Sequence, residues 1–542
     1  MRGKSHKADL PFAEEGGLTL LRRLSICLAF ATWCFADTWV EYAEEDVAYF
    51  ARQGPFRAAV VPILILEVVL TLGMFAIWEF CRRKRLTRAP AIHFLFLAAC
   101  FAPVGMVSVA LLRAAPVGLT ALVRMRFFWP AALVAGILPL GWVCLRPVRA
   151  SRFMRGVLRY SWPVLILVLV QAVRGTLHFP DSAYADRQLA VPLHSSAGRT
   201  RVVWIIFDEL SQTIAFGNRA ADLQLPNLDR LKGESFYATA AESPSNATLV
   251  SLPSLILGEQ VLGTSPQGPG DLRVRLSSRA GAVPWSSLRN VFDSARDLGF
   301  NTAVVGWYHP YGRVLNGSLT KCYWTAGWMA PGTEERFEPQ SLLQGMWDRV
   351  EFQSADLPLI GRLPGVSPGM YARREKIAGW DYLSDHAREV VSDPGIGLAL
   401  LHLPLPHFPA IYNRARGTFS TDKGPGYLDN VALVDLELGM LRHAMEESGL
   451  WDRSAILVSA DHGWRTGSMG GARPRNPEDE AASHQDTSGV PFLLKLPGQT
   501  VGSVYSKRFN TVSTRRLITG ILNGQVTDSA AVAAFIEDAQ RR

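Results

Sequence analysis

Cysteine is scarce: six in 542 residues, and after about residue 178 only Cys322 remains. A disulfide framework in the later part is therefore excluded, whichever compartment it occupies. Long apolar runs are missing from that same part, which reads as an ordinary globular α/β chain. They are concentrated before residue 178, and they lift the hydrophobic content to 48% and the mean hydropathy to +0.10. A chain this long exceeds one ordinary core, so at least two folding units are expected. The formal net charge is +8, but its cations gather beside the apolar runs. Arg82, Arg83, Lys84, Arg85 and Arg88 follow one run; Arg146, Arg149, Arg152, Arg155 and Arg159 separate two others. This is the positive-inside pattern of a membrane protein, and it removes nucleic acid as a partner.

Five spans are expected, at about 20–38, 58–80, 90–112, 127–145 and 157–174, because about 20 apolar residues cross a bilayer. Together they make a transmembrane helical bundle over 1–177. Arg2, Lys4, Lys7, Arg22 and Arg23 put the N-terminus in the cytoplasm, and Glu41, Glu44, Glu45 and Asp46 suit an outside loop. An odd number of spans then delivers the C-terminal part outside, while the loop with Arg113, Arg124 and Arg126 goes against the rule. The expected location is the cytoplasmic membrane, multi-pass, with the soluble part facing the periplasm or cell exterior. Glu67, mid-span, is either functional or paired inside the bundle.

A linker over 178–199 leads to a domain over 200–542. Arg201–Phe207 is a continuous apolar run of strand length, the mark of a parallel strand buried on both faces. It ends in Asp208-Glu209. Three more strand-like runs end in the same residue types: one at His309, one at His402 with His407 following in a Pro-stiffened loop, and one at Asp461-His462. Taken singly, two loop acids or a lone His are more often solvated or structural. Four strands ending alike put these groups at one sheet edge, where open α/β sheets bind ligands. Oxygen and imidazole ligands converging there suit zinc or manganese, with calcium or magnesium as alternatives. Ser243–Gly258 is rich in hydroxyls and then turns apolar, which reads as a capped helix start and as a ready anion site. Ser483-His484 precedes the last strand-like run, Val490–Lys495.

In order, these motifs are Asp-Glu after the first strand, Thr248-x-x-Ser-Leu-Pro-Ser-Leu-x-x-Gly258, Gly306-x-x-His309, His402-x4-His407-x-Pro409 and Asp461-His462-Gly463. The set resembles the sulfatase-like branch of the alkaline phosphatase superfamily over about 200–525. The expected fold is an α/β domain with a mostly parallel central sheet. The five-span anchor resembles, in architecture, those of phosphoethanolamine transferases and lipoteichoic acid synthases.

The resemblance implies that Asp208, Glu209, Asp461 and His462 hold a divalent metal with Thr248, the nucleophile. It implies that His309, His402, His407 and His484 bind substrate, with His309, His407 or His484 as proton donor. Ser245 and Ser251 are not expected to be nucleophiles. Three departures bear on the reaction. No Cys-x-Pro-x-Arg or Ser-x-Pro-x-Arg is present to yield formylglycine, Trp307 stands where sulfatases carry Lys, and the transferases' disulfides are missing. The resemblance thus implies transfer of a phospho-group from a phospholipid head-group donor to an envelope glycan or lipid, with membrane lipids as partners. The alternatives are a phosphate- or sulfate-ester hydrolase and an inactive membrane scaffold or sensor.

Overall fold

The computed structural model describes residues 20–41, 45–51, 60–86, 89–113, 143–161, 180–193, 198–315, 317–326, 368–422, 424–466 and 476–541, with a few single residues between. The chain parts into two compact units. One contains the described residues of 20–41, 60–180 and 338–366; the other contains Glu45–Ala51 and the described residues of 181–337 and 367–542.

The first unit is helical. Among the described residues two helices are long and apolar enough to cross a membrane, Val61–Arg83 and the stretch Pro90–Ser108. The expectation of five spans is corrected accordingly. The segment 20–38 divides into a 15-residue helix, Leu20–Cys34, and a short one, Ala36–Glu41. The fourth expected span, 127–145, lies almost wholly outside the described residues, as does half of the fifth. Residues 146–156, expected to link two spans, are largely part of the helix Pro147–Tyr160. Arg is a good helix former and Pro suits the first helical turn, so charge alone misleads there. Glu67 is buried and accepts a hydrogen bond from Trp39 Nε1 at 2.9 Å, which is the paired alternative.

Among the described residues, the second unit is built on a nine-stranded sheet. Its main strands are β1 (Arg201–Phe207), β2 (Phe236–Glu242), β3 (Asn301–Trp307), β4 (Lys321–Thr325), β5 (Ile396–Leu403), β6 (Ser454–Ala460), β7 (Val490–Lys495) and β8 (Ser503–Tyr505). Their order is β8-β2-β7-β6-β1-β5-β3-β4, with Phe509–Asn510 pairing β2 beside it. Only β7 runs against the others, so the expected mostly parallel sheet is present. β1 is central and all seven of its residues are buried. Val202, Val203, Ile205 and Ile206 are β-branched, which suits a pleated surface packed on both faces.

Parallel register sets the site. Phe207 stands opposite Ala460 and Ile206 opposite His402, so Asp208, Asp461 and His402 come out at one edge. Gly306 of β3 is likewise opposite His402, which brings the turn to His309 to that edge.

Candidate metal centre and nucleophile

Asp208 and Glu209 form the turn that leaves β1. The Asp208 N–H donates to Leu403 O at 3.1 Å, and Asp208 O accepts the His407 N–H at 3.1 Å. Glu209 adopts φ +69°, a backbone state costly for a non-glycine residue. It is held there from two sides: its N–H donates to Asp461 Oδ1 at 3.2 Å, and its carbonyl accepts the Tyr427 hydroxyl at 2.6 Å.

Thr248 opens the helix Thr248–Leu257 and is buried. That helix ends at Gly258, φ +67°, where a Cβ would fall 2.7 Å from Arg515 Cβ. Glycine is required there for both reasons. Thr248 Oγ1 lies 3.4 Å from Asp208 Oδ2 and 3.2 Å from His462 Nε2.

One ligand atom each from Asp208, His402 and Asp461 lie within 4.8 Å of one another, all three residues buried. Asp208 Oδ1, Asp461 Oδ2 and His402 Nε2 have no hydrogen-bond partner. Buried polar atoms are normally satisfied, so three converging orphans mark a place for a cation. The imidazoles are oriented to suit. His402 Nδ1 faces the Trp307 carbonyl at 3.0 Å, and His462 Nδ1 the Gly463 carbonyl at 2.9 Å. A carbonyl only accepts, so the His462 Nδ1 carries the proton and its Nε2 keeps the lone pair that a metal ligand needs; His402 Nδ1 also meets the Tyr311 hydroxyl at 2.8 Å, which anchors that ring with Nε2 toward the carboxylates. His462 Nε2 is 3.6 Å from Asp208 Oδ1 and 3.4 Å from Asp461 Oδ2. Gly463 lets this turn lie against the backbone of Thr487 and Ser488; a Cβ there would fall 2.1 Å from Thr487 O.

Burial, then the neighbouring charges of Asp461 and Glu209, push the Asp208 carboxyl well above the usual range. A divalent cation is the natural counter-charge for such a set. The donors fit one: Asp208, Asp461, His402 and His462, with Thr248 beside them.

The resemblance assigned His402 to substrate; the structure sets its Nε2 among the carboxylates. The Glu209 carboxylate is paired with Arg465, Nε to Oε1 at 2.6 Å. Arg465 also reaches His407 Nε2 at 3.1 Å, so it joins two of the expected site residues. The sequence reading missed it, although it follows Asp461-His462-Gly463 by two positions. His407 is fixed from behind: the buried Lys376 ammonium and Asn430 Nδ2 both donate to its carbonyl.

His309 is fully buried, with Nε2 3.3 Å from the Thr248 carbonyl and Nδ1 2.9 Å from the Tyr49 hydroxyl. Burial lowers its pKa to about 3, and that of His402 likewise, so both are neutral. With both nitrogens engaged, His309 turns neither toward a substrate in this arrangement. His484 is exposed in the turn after the helix Pro477–Ala482, and none of the contacts above involves it.

No family model matches the chain. Over 111 residues it is 27% identical to an ulvan-active sulfatase of Formosa agariphila, covering 20% of this chain and 21% of that protein. The chain thus aligns with about a fifth of that relative's length. Similar solved structures include the phosphonate monoester hydrolase of Agrobacterium radiobacter, at 16% identity over 60% of this chain and 74% of that one, TM-score 0.38. A sulfatase from Pseudoalteromonas sp. shares 16% identity over 61% and 69%, TM-score 0.37. A protein in the alkaline phosphatase superfamily from Vibrio parahaemolyticus shares 14% over 61% and 68%, TM-score 0.36.

Proposed function

We propose that this chain is a metal-dependent enzyme of the sulfatase-like type that cleaves a phosphate-type ester, with Thr248 taking the group covalently before passing it on. The observation that carries the reading is Thr248 Oγ1 lying within 3.4 Å of Asp208 and 3.2 Å of His462, beside three buried atoms without partners. When bound, a divalent ion there supplies positive charge to the phosphoryl oxygens and favours the Thr248 alkoxide.

The residues' own work follows. Asp208, Asp461, His402 and His462 hold the cation. Thr248 Oγ forms a bond to phosphorus as the bond from phosphorus to the leaving oxygen breaks. The hydroxyl proton leaves toward Asp208 Oδ2, and the leaving oxygen takes one from water; His407, whose Nδ1–H meets the Phe408 carbonyl at 2.6 Å and whose Nε2 accepts from Arg465 at 3.1 Å, holds that guanidinium in place. Because charge spreads over the phosphoryl oxygens, positioning and electrostatics carry most of the rate. In the second half, an acceptor oxygen bonds to phosphorus and the Thr248 ester breaks.

The acceptor decides the class. With water the chain is a hydrolase, the reading favoured by its similarity to a phosphonate monoester hydrolase and a sulfatase. With an envelope glycan or lipid hydroxyl it is a transferase moving phosphoethanolamine or phosphoglycerol from a phospholipid, the reading favoured by two helices able to cross a membrane. A Thr nucleophile and Trp307 in place of Lys both favour phosphate over sulfate. Intact-mass spectrometry of the full chain with phospholipid vesicles tests this. A covalent gain on Thr248 supports the reading, and its mass names the group. Turnover of phosphate esters by Thr248→Ala at the wild-type rate would overturn it.

A further inference from the structure

The segment Glu45–Ala51 comes from the N-terminal part of the chain, between the helices Ala36–Glu41 and Val61–Arg83, yet it packs into the second unit. Tyr49 and Arg313 are almost wholly buried there. The Arg313 guanidinium donates to the carbonyls of Tyr49 at 3.0 Å and Ala51 at 2.8 Å. Phe50 packs edge-on to Tyr308, centroids 4.9 Å apart, and Tyr308 itself holds φ +77°. Trp285 closes on His309 at 5.1 Å. The Tyr49 hydroxyl therefore meets His309 in a fixed aromatic cage.

We propose that Tyr49 is a positioning residue of the active site: it fixes His309 in one tautomer, and His309 in turn holds the backbone of the nucleophile Thr248. The directions of the two hydrogen bonds follow from chemistry. The Thr248 carbonyl can only accept, so His309 Nε2 carries the proton and donates to it. His309 Nδ1 then has only a lone pair and accepts from the Tyr49 hydroxyl. Reversing either bond leaves the other unmade in a buried place, which costs about 1–3 kcal/mol. A segment joined along the chain to the membrane-type helices thus sets the first residue of the nucleophile helix. Such outer hydrogen bonds orient reacting groups, and small misplacements cost rate more than binding. The kinetic part of this proposal rests on Thr248 being the nucleophile; the tautomer part does not.

The experiment uses the full-length chain in lipid, wild type and Tyr49→Phe, the latter keeping the ring and losing only the hydroxyl. Nitrogen-15 NMR of histidine-labelled protein reads the tautomer, with the His309 signals identified by their loss in His309→Asn. The wild type should show a protonated Nε2 and a bare Nδ1. In Tyr49→Phe the Nδ1 signal should shift as its donor goes. Steady-state kinetics on a phosphate ester should show kcat lowered about tenfold, with KM changed less than about twofold. A wild-type His309 protonated at Nδ1 overturns the proposal. So does a Tyr49→Phe protein whose His309 signals and kcat both match wild type. If the wild type turns over no phosphate ester, the Thr248 reading fails, while the NMR result still decides the Tyr49–His309 link.

Discussion

Removing the cation should loosen the second unit by a calculable amount. Asp208 and Asp461 are buried, each with a carboxylate oxygen that nothing satisfies. Arg465, the cation beside them, is already spent on Glu209. An uncompensated buried carboxylate costs several kcal/mol, so folded protein and ion should be strongly linked. An ion at a thousandfold excess over its Kd stabilises the folded state by about 4 kcal/mol. A unit of roughly 340 residues unfolds with an entropy of about 0.7 kcal/mol/K. Chelation should therefore lower Tm by about 6 °C. The assay is a fluorescence-detected melt with and without chelator, beside elemental analysis of the protein. Asp461→Asn should lose the ion and with it the chelator shift. If Asp461→Asn binds as much metal as wild type and shows the same shift, the donor set is wrong.

Four further outcomes are expected. Thr248→Ala should stay folded and metal-bound yet lose turnover by several orders of magnitude and lose any covalent adduct on mass spectrometry. Arg465→Met takes away the guanidinium that pairs with the buried Glu209 carboxylate and should lower stability in denaturant melts by about 3 kcal/mol, much of it recovered in the double variant with Glu209→Gln; no recovery would show that the pairing is not what matters. Glu437 is buried, and burial raises its carboxyl to about 7 against Ser384, which donates to it. The folded state then holds a proton that the unfolded state releases, so stability is fullest below about pH 4.5 and falls by roughly 3 kcal/mol as pH rises through 7; Glu437→Gln should flatten that slope in melts across pH 5–8. A C-terminal alkaline phosphatase fusion should be active and a cytoplasm-only reporter silent, if residues from about 178 lie outside the membrane.

The sheet and most of its edge residues were legible because both depend on local pattern. Val202–Phe207 is apolar throughout, and a strand buried on two faces must be. Parallel register then carries Asp208 and Asp461 to one edge without further information. The job of His402 was less legible: its spacing to His407 suggests substrate, whereas its position opposite Ile206 makes it a neighbour of Asp208. Lys376 was hidden for another reason, since a Lys on the helix Pro368–Val391 reads as solvated until its carbonyl partners are known. Tyr49 had no signal at all. Its partner lies 260 residues away, and no periodicity points from one to the other.

The central place of β1 has a consequence during synthesis. Its neighbours are β5 and β6, made roughly 190 and 250 residues later. At about 5–20 residues per second, Arg201–Phe207 waits on the order of 10–50 s for the strands that cover it. All that time its six residues Val202–Phe207 are an apolar, β-prone segment with open hydrogen-bonding edges, the kind that pairs with copies of itself. Chains halted before Ser454 should therefore aggregate, and a nascent chain at that stage is a natural client for a holding chaperone.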